Sequence, residues 1–311
     1  MIYNWNIIGH EKQLMQLEKD ISSGNVSHAY LLWGPGHIGK YTVAKKLASI
    51  LQCENNFCGV CSTCLQIRKG SHIDTMEFEN NHEALKIEHV REIISRCNMS
   101  PQGKYKVVIL QSIGRMTTEA ANALLKTLEE PPNNTIFIMT TSNIREVLPT
   151  ILSRSRIVRF HLFPHDFLIQ MLKKKYLNID DEKIDQAARL SLGRAGFAID
   201  LMEQPEKFAD YLKLYKDISY LLETDNIVER FSYVENILDD EKRDDGASNI
   251  RTDDFLNVMT HVLRTRMIEF ASKKGVDVRA LIDMIAKVQD ASSSLKKNVN
   301  ARLLLENLML N

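Results

Sequence analysis

The sequence predicts an α/β domain built on a parallel sheet, followed by an all-helical region. Short apolar runs alternate with amphipathic stretches over the first 160 residues, a pattern typical of βαβ units. A glycine-rich loop joins the first apolar run to a helical stretch, and beyond Phe160 the helical period continues without strand-like segments. We therefore expect a sheet domain with a phosphate-binding type of loop, and then helical domains.

Composition excludes several classes of protein. The chain has 311 residues, with 40 Lys and Arg against 40 Asp and Glu, so bulk positive charge cannot hold it on nucleic acid or a membrane surface. No apolar run approaches the roughly 20 residues that cross a bilayer. The N-terminal residues lack the basic and then apolar pattern of a secretory signal. We expect a cytoplasmic protein of two or three domains without a membrane partner.

The first strand is predicted over 28–33 and leads into the motif G-x-x-x-x-G-K, formed by Gly34, Gly39 and Lys40. In a loop between a strand and a helix, backbone N–H groups can surround phosphates and the lysine can reach the β and γ oxygens. The apolar spacing of 43–52 predicts the helix that follows. These residues therefore form a candidate nucleotide site.

Four of the five cysteines lie within twelve residues, spaced C-x4-C-x2-C-x2-C at Cys53, Cys58, Cys61 and Cys64. Four thiolates can surround one tetrahedral Zn²⁺, and a reducing cytoplasm disfavours disulfides. An iron–sulfur cluster, a redox pair and four unrelated thiols are the alternatives. We favour a structural zinc ion, because four thiolates leave no open coordination position for catalysis. Cys97 is expected to be an ordinary cysteine.

The later part of the sheet domain has four more predicted elements, one helix and three strands. A helix is predicted over 117–130, with Thr117 or Thr118 as its N-cap and two prolines directly after it. Strands are predicted over 106–110, over 135–141 and at the end of 151–160.

Two parts of the candidate nucleotide site depart from the pattern of an active NTPase. The residue after the loop lysine is usually Ser or Thr, whose hydroxyl binds Mg²⁺, but here it is Tyr41. The acids expected after the second strand are replaced by Gln111 and Ser112. We expect the chain not to bind ATP or hydrolyse it on its own. The alternative is an active NTPase that uses a displaced acid such as Glu119.

Motifs recur from one end of the chain to the other, in the segments 7–17, 27–40, the cysteine cluster, 116–132, 135–155 and 300–310. Together they resemble the clamp-loader subunits of bacterial DNA polymerase III, members of the AAA+ group related to replication factor C. The absence of acids at Gln111 and Ser112 resembles the delta-prime subunits more than the gamma and tau motor subunits.

The resemblance implies a domain organisation. It implies an AAA+ P-loop domain with a RecA-like parallel sheet over 1–163, with the zinc module inserted at about 53–64. A small helical lid domain over 164–207 and a helical collar domain over 208–311, through which subunits assemble, would follow.

The resemblance also implies roles for single residues. The family's Ser-Arg-Cys motif corresponds to Ser153-Arg154-Ser155, which makes Arg154 an arginine finger that stabilises charge on a nucleotide bound by the neighbouring subunit. A surface arginine beside Arg156 and Arg159 is the alternative. The position of a nucleotide-sensing arginine falls on Gly196, with Arg194 two residues earlier. The other sensor would fall at residues 140–141.

The function implied is that of a non-catalytic delta-prime subunit, which supports ATP-dependent loading of the sliding clamp onto primed DNA. Its partners would be gamma/tau motor subunits and a delta subunit, and through the complex the clamp and DNA. The alternatives are a gamma/tau-like DNA-dependent ATPase and a zinc-containing nucleic-acid-binding module that acts without partners.

Overall fold

The computed structural model describes residues 3–55, 57–78, 85–242, 251–271, 278–295 and 299–310. The chain divides into two compact units. The first contains Met1–Phe167 together with Gly193–Phe197, and the second contains Leu168–Leu192 and Ala198–Asn311. The segment Gly193–Phe197 is therefore part of the first unit, although its sequence neighbours are not. The domain boundaries after 163 and 207 stay predictions.

The first unit contains a five-stranded sheet in which every neighbouring pair is parallel, in the order β2-β3-β4-β1-β5. The parallel sheet predicted from the alternating pattern is confirmed. A strand that the sequence analysis did not predict, β2, forms one edge of the sheet. The strands are β1 (Ala29–Trp33), β2 (Thr75–Phe78), β3 (Lys106–Leu110), β4 (Thr135–Thr141) and β5 (Arg156–Arg159).

Alternate side chains of the central strands pack on opposite faces of the sheet, as the period of two in a strand requires. On β1, Tyr30 and Leu32 contact one buried cluster, while Ala29 and Leu31 contact the other. Because both faces are covered, these strands are almost entirely apolar. The first face is covered by α1 (Glu11–Ser22), α2 (Lys40–Gln52) and α3 (Ser62–Lys69), and the second by α4 (Ile87–Cys97), α5 (Thr118–Glu129) and α6 (Pro149–Leu152).

Helix α5 begins and ends where its sequence predicts. Thr117 is the N-cap, and its hydroxyl oxygen accepts a hydrogen bond from the Ala120 N–H at 3.2 Å, which satisfies one of the free N–H groups of the first turn. The helix ends at Glu129, and the two prolines that follow cannot continue it. Its last turn therefore presents a carboxylate at the surface of the first unit.

The described residues of the second unit form helices and no strand. Across the described ranges, no helix has both the length and the apolar character needed to span a membrane. The helices are α7 (His165–Lys175), which begins in the first unit, α8 (Asp181–Ser191), α9 (Ala195–Glu203), whose first three residues belong to the first unit, α10 (Pro205–Leu221), α11 (Ile227–Lys242), α12 (Thr252–Ala271), α13 (Arg279–Leu295) and α14 (Ala301–Met309).

Candidate functional site

The P-loop lies between the carboxyl end of β1 and the first residue of α2, and both glycines of its motif are required by the backbone. A Cβ on Gly34 would lie 2.5 Å from the Phe160 carbonyl oxygen, which is too close for any other residue. Gly39 is the N-cap of α2 with φ 96°, a conformation that favours glycine. The loop therefore lies between a strand and a helix, in the position that its sequence predicts.

Lys40 is folded back onto the loop that should bind phosphate. Its Nζ donates hydrogen bonds to the Gly34 and Pro35 carbonyl oxygens at 2.7 and 2.6 Å. The residue is only 8% exposed, and this burial lowers the pKa of Lys40 to about 8. The charged form is disfavoured because an ammonium loses hydration in a buried site. Its donors are used within the loop itself.

Tyr41, which occupies the usual position of the metal-binding hydroxyl, has a different role here. Its hydroxyl donates a hydrogen bond to Glu77 on β2. The Lys45 Nζ also contacts that carboxylate, at 3.0 Å, and lies over the Tyr41 ring at 5.4 Å from the centroid. These three side chains tie the first turn of α2 to the edge strand. The phenol is therefore held by Glu77 and is no substitute for a short hydroxyl beside a nucleotide.

The carboxyl end of β3 carries no acid where an NTPase would need one. The Gln111 N–H donates to the Phe78 carbonyl oxygen at 3.1 Å. Ser112 has φ 51°, and its N–H donates to the Thr140 hydroxyl oxygen at 3.2 Å. Thr140 is buried at the end of β4, so its oxygen bonds to the backbone here. Gln111 and Ser112 therefore place no carboxylate directly after β3, where the metal-binding acid of an NTPase would lie.

The position aligned with the nucleotide-sensing arginine lies directly against the P-loop. Gly196 packs on the loop backbone, where a Cβ would be 2.6 Å from the His37 carbonyl oxygen. The next residue, Phe197, donates its N–H to the same carbonyl oxygen at 2.9 Å. Arg194 lies over the Phe197 ring, with Cζ 5.5 Å from the centroid. No side chain larger than hydrogen fits at Gly196 without movement of the backbone.

The cysteine cluster predicted from spacing is present in three dimensions. The four Sγ atoms all lie within 4.8 Å of one another. Cys53 is 3.9 Å from Cys58 and 3.8 Å from Cys61, Sγ to Sγ. A tetrahedral zinc ion with Zn–S bonds of about 2.3 Å would place its sulfur atoms about 3.8 Å apart. Cys53, Cys58, Cys61 and Cys64 can therefore bind a metal such as zinc.

Two helix ends and a tight turn bring the four thiols together. Cys53 is the C-cap of α2, and Cys61 is the N-cap of α3, where its sulfur accepts from the Cys64 N–H at 3.5 Å. Gly59 turns the chain between them with φ 75°. Hydrogen bonds from the backbone N–H groups of Val60 and Cys61 lower the pKa of Cys58 to about 6, which favours the thiolate that a metal requires.

Arg154 lies in the turn between α6 and β5, at the surface of the first unit. Its Nη2 is 2.6 Å from the Glu129 carboxylate at the end of α5. Its Nη1 donates to the Thr150 carbonyl oxygen at 3.0 Å and to the Ser153 hydroxyl at 3.2 Å. A carboxylate at a helix C-terminus is disfavoured by the helix dipole, so the guanidinium offsets that charge. The side chain is oriented by these contacts and is accessible to solvent.

The two neighbouring arginines are held differently. Arg156 pairs with Asp20 at 2.6 Å, and that aspartate is buried. Arg159 lies over the Trp33 ring, with Cζ 4.7 Å from the centroid. Both contribute to packing at the β5 edge, whereas the partner of Arg154 is a half-exposed carboxylate.

Comparison with known proteins shows the family. A family profile described as "DNA polymerase III, delta subunit" matches residues 9–164, which is half of the chain. The chain belongs to this family. The matched region of this DNA polymerase III family member contains the P-loop, the cysteine cluster and the Arg154 turn, whereas Gly196 lies beyond it.

Two curated relatives within DNA polymerase III have sequences similar to this family member. The tau subunit of Salmonella typhimurium is 28% identical over 307 residues, which cover 95% of this chain and 46% of the relative. The gamma subunit of Buchnera aphidicola (subspecies Acyrthosiphon pisum) is 30% identical over 210 residues, which cover 65% of this chain and 58% of the relative. The chain thus spans about half the length of these relatives.

A solved structure has a similar fold. The gamma subunit-related protein of Thermotoga maritima aligns with a TM-score of 0.57 at 21% identity, covering 95% of this chain and 97% of that one. At this identity the likeness concerns the fold alone. It agrees with the parallel α/β sheet and helices seen in this DNA polymerase III family member.

Two acidic residues of the site region were not predicted from the sequence. Glu77 lies on the strand β2, which is four residues long and gave too short a pattern to predict. Polar and apolar residues do alternate in 75–78, but four positions are too few to identify a strand. Glu129 is part of the 116–132 motif, but its contact with Arg154 joins residues 25 positions apart. Only the fold brings Glu129 and Arg154 together.

A metal analysis tests the cysteine cluster. We expect one zinc ion per chain, and we expect Cys61→Ser to lose the metal and loosen the segment that the four thiols close, because a structural zinc contributes on the order of 10 kcal/mol to local folding. Zinc content by elemental analysis and amide exchange over 53–70 measure both effects.

The matched control is Cys97→Ala, which removes the one cysteine outside the cluster. Cys97 is buried on α4 within the sheet core, so this change is expected to lower stability and leave the zinc content unchanged. Native protein without any bound metal would contradict the zinc prediction.

Lys40 is expected to make stability depend on pH. Its pKa of about 8 in the folded chain lies below the value of about 10.4 in an unfolded chain. Between these values the unfolded chain binds the additional proton, so the free energy of unfolding rises with pH, by up to about 3 kcal/mol for this group. Below that range both states hold the proton and the contribution is constant.

Urea unfolding of the wild type and of Lys40→Met, at about pH 7.5 and about pH 9.5, measures the difference in their free energies of unfolding at each pH. The free energy of unfolding of the wild type should rise relative to the variant between the two. An unchanged difference would show that the Lys40 amine titrates normally.

Proposed function

We propose that this chain is a non-catalytic, delta-prime-like subunit of a DNA polymerase III clamp loader, and that it lends Arg154 to a nucleotide site on a neighbouring motor subunit. One observation carries the proposal: the residue after the P-loop lysine, Tyr41, bonds to Glu77 and offers no short hydroxyl to a nucleotide-bound metal. Membership of the polymerase III family supports the assignment to replication.

The residues of the P-loop edge support a subunit that does not hydrolyse ATP. Phosphoryl transfer in P-loop proteins needs a metal ion held by a hydroxyl and an acid, because the metal neutralises charge that develops on the phosphates. Tyr41 replaces the hydroxyl, and Gln111 and Ser112 replace the acids. Lys40 is the one P-loop cation of the motif, and its Nζ bonds to loop carbonyls. We infer that this chain neither binds ATP productively nor turns it over.

The setting of Arg154 supports a role towards a second subunit. The Arg154 side chain is 34% exposed and that of Glu129 is 49% exposed, so the pair is solvated and contributes only about 0–1 kcal/mol. A phosphate oxygen presented by another subunit can therefore replace the carboxylate at little cost. Guanidinium is always charged and its planar fork suits phosphate oxygens.

The proposed complex contains gamma/tau motor subunits and a delta subunit. The matched relatives are themselves a tau and a gamma subunit of DNA polymerase III, which supports a place beside such subunits. Within it, ATP used by the motors would load the sliding clamp onto primed DNA. The four cysteines would hold a structural zinc ion, and the chain would work in the cytoplasm without a membrane.

A gamma/tau-like ATPase is the second candidate, and the identity of the relatives favours it. It requires a carboxylate beside the nucleotide-bound metal. Glu119, in the first turn of α5, is the displaced acid that would have to serve. Turnover by the purified chain separates the two candidates.

DNA-stimulated ATP hydrolysis tests the proposal directly. The purified chain is expected to show no turnover, and the chain reconstituted with gamma/tau and delta subunits is expected to show it. Arg154→Ala should remove the share of turnover that comes from the neighbouring site, because an arginine finger contributes roughly 10³-fold or more to kcat. Arg154→Lys should fail as well, since an ammonium keeps the charge without the fork.

Arg96→Ala is the matched control. Arg96 also lies in the first unit, is half exposed, and pairs with one carboxylate, Glu92, at 3.6 Å. This variant should assemble and hydrolyse ATP like the wild type, and size-exclusion chromatography checks that every variant assembles. Turnover by the isolated chain, or full activity of an assembled Arg154→Ala complex, would overturn the proposal.

A further inference from the structure

The segment Gly193–Phe197 is anchored to the first unit at both ends. At one end the Gly193 carbonyl oxygen accepts the Phe163 N–H at 2.9 Å. Gly193 has φ +77°, and a Cβ there would lie 2.5 Å from the Phe163 carbonyl oxygen. At the other end, the Phe197 N–H donates to the His37 carbonyl oxygen at 2.9 Å. A backbone hydrogen bond therefore holds each end of this segment to the first unit.

Between these anchors the backbone lies against the P-loop itself. The position of a Cβ on Gly196 is 2.6 Å from the His37 carbonyl oxygen and 3.2 Å from the Gly39 nitrogen. The His37 and Phe197 rings are 5.9 Å apart, centroid to centroid. The residue at 196 must therefore be glycine for the backbones to approach so closely.

This contact competes with phosphate for the same space. A phosphate oxygen bound by the loop must lie about 2.7–3.2 Å from its N–H groups. A Cβ on Gly196 would lie 3.2 Å from the Gly39 nitrogen, so the 193–197 segment lies beside this part of the loop. The Lys40 Nζ, the other phosphate ligand, is bonded to the Gly34 and Pro35 carbonyl oxygens. The lysine donor is therefore engaged inside the chain, and the 193–197 backbone packs on the loop that carries the N–H donors.

We propose that the 193–197 segment is an intramolecular plug of the P-loop, which excludes nucleotide by filling the space that its phosphates would need. The inference rests on the proposed function and deepens it, because it names the element that keeps this site empty. This exclusion of nucleotide is independent of the metal-binding side chains that Tyr41, Gln111 and Ser112 replace. Even without Mg²⁺, a P-loop that is open can bind the phosphates of a nucleotide through backbone N–H groups. A plugged loop cannot.

The wild type and Gly196→Ala together test the plug. The added methyl group would meet a backbone carbonyl at 2.6 Å, so the segment must move away from the loop. Amide exchange of Phe197 should become at least about tenfold faster, since its hydrogen bond to His37 is lost. Binding of a fluorescent ADP analogue, undetectable for the wild type, should become measurable and independent of Mg²⁺.

Gly36→Ala is the matched control in the same loop. A Cβ on Gly36 meets no atom within 4 Å, so this variant adds the same methyl group without displacing the 193–197 segment. Its Phe197 amide exchange and its lack of nucleotide binding should equal those of the wild type. Thermal unfolding of each variant establishes that it is folded.

A second variant keeps the test decisive if Gly196→Ala does not fold. Phe197→Ala removes the ring that contacts His37 and Arg194 and keeps the N–H donor, so a smaller increase in amide exchange of residue 197 is expected. Unchanged exchange in a folded Gly196→Ala variant would overturn the plug. Nucleotide binding by the wild type would do the same.

The two proposals can fail separately. A wild-type chain that binds the ADP analogue and does not hydrolyse ATP would overturn the plug and leave the proposed function standing. A wild-type chain that hydrolyses ATP without partners would overturn both. An Arg154→Ala complex with full activity would remove the proposed function and would say nothing against exclusion of nucleotide from this chain.

Discussion

The parallel direction of all five strands is the constraint on which the rest of the first unit depends. Parallel strands need helices on both faces, and they bring their carboxyl ends to one edge. The loop after β1, the residues after β3 and the end of β4 therefore meet there. Gly34 lies against Phe160, and the Ser112 N–H bonds to Thr140. The chemistry available at this edge depends on the side chains of these few residues.

At this edge the polar groups bond to one another. The Lys40 ammonium bonds to loop carbonyls, the Tyr41 phenol to Glu77, and the Phe197 N–H to His37. Buried polar groups need such partners, because each unsatisfied one costs about 1–3 kcal/mol. Arg154 differs because its carboxylate partner, Glu129, is half exposed to solvent. The contrast supports a chain that is inert at its own P-loop and contributes one side chain elsewhere.

Much of this unit follows from local sequence. Four strands, the Thr117 cap and the cysteine cluster depend on patterns of a few residues, and the structure has them. The strand β2 is only four residues long, which is too short for a periodic signal. The contacts of Glu77 and Glu129, and the return of Gly193–Phe197 to the P-loop, join distant parts of the chain. Such contacts depend on tertiary packing, so no local pattern specifies them.

The glycine at 196 also bears on how this site can change over generations. A larger residue there would collide with the His37 carbonyl oxygen. A mutation of Gly196 to arginine would therefore disrupt the packing before the arginine could contact a nucleotide. Tyr41 and Gln111 would have to change as well, and Tyr41 is tied to Glu77. Each reversion is unfavourable until the others are in place. Under the proposed function, the inactive form of this site is in that sense entrenched.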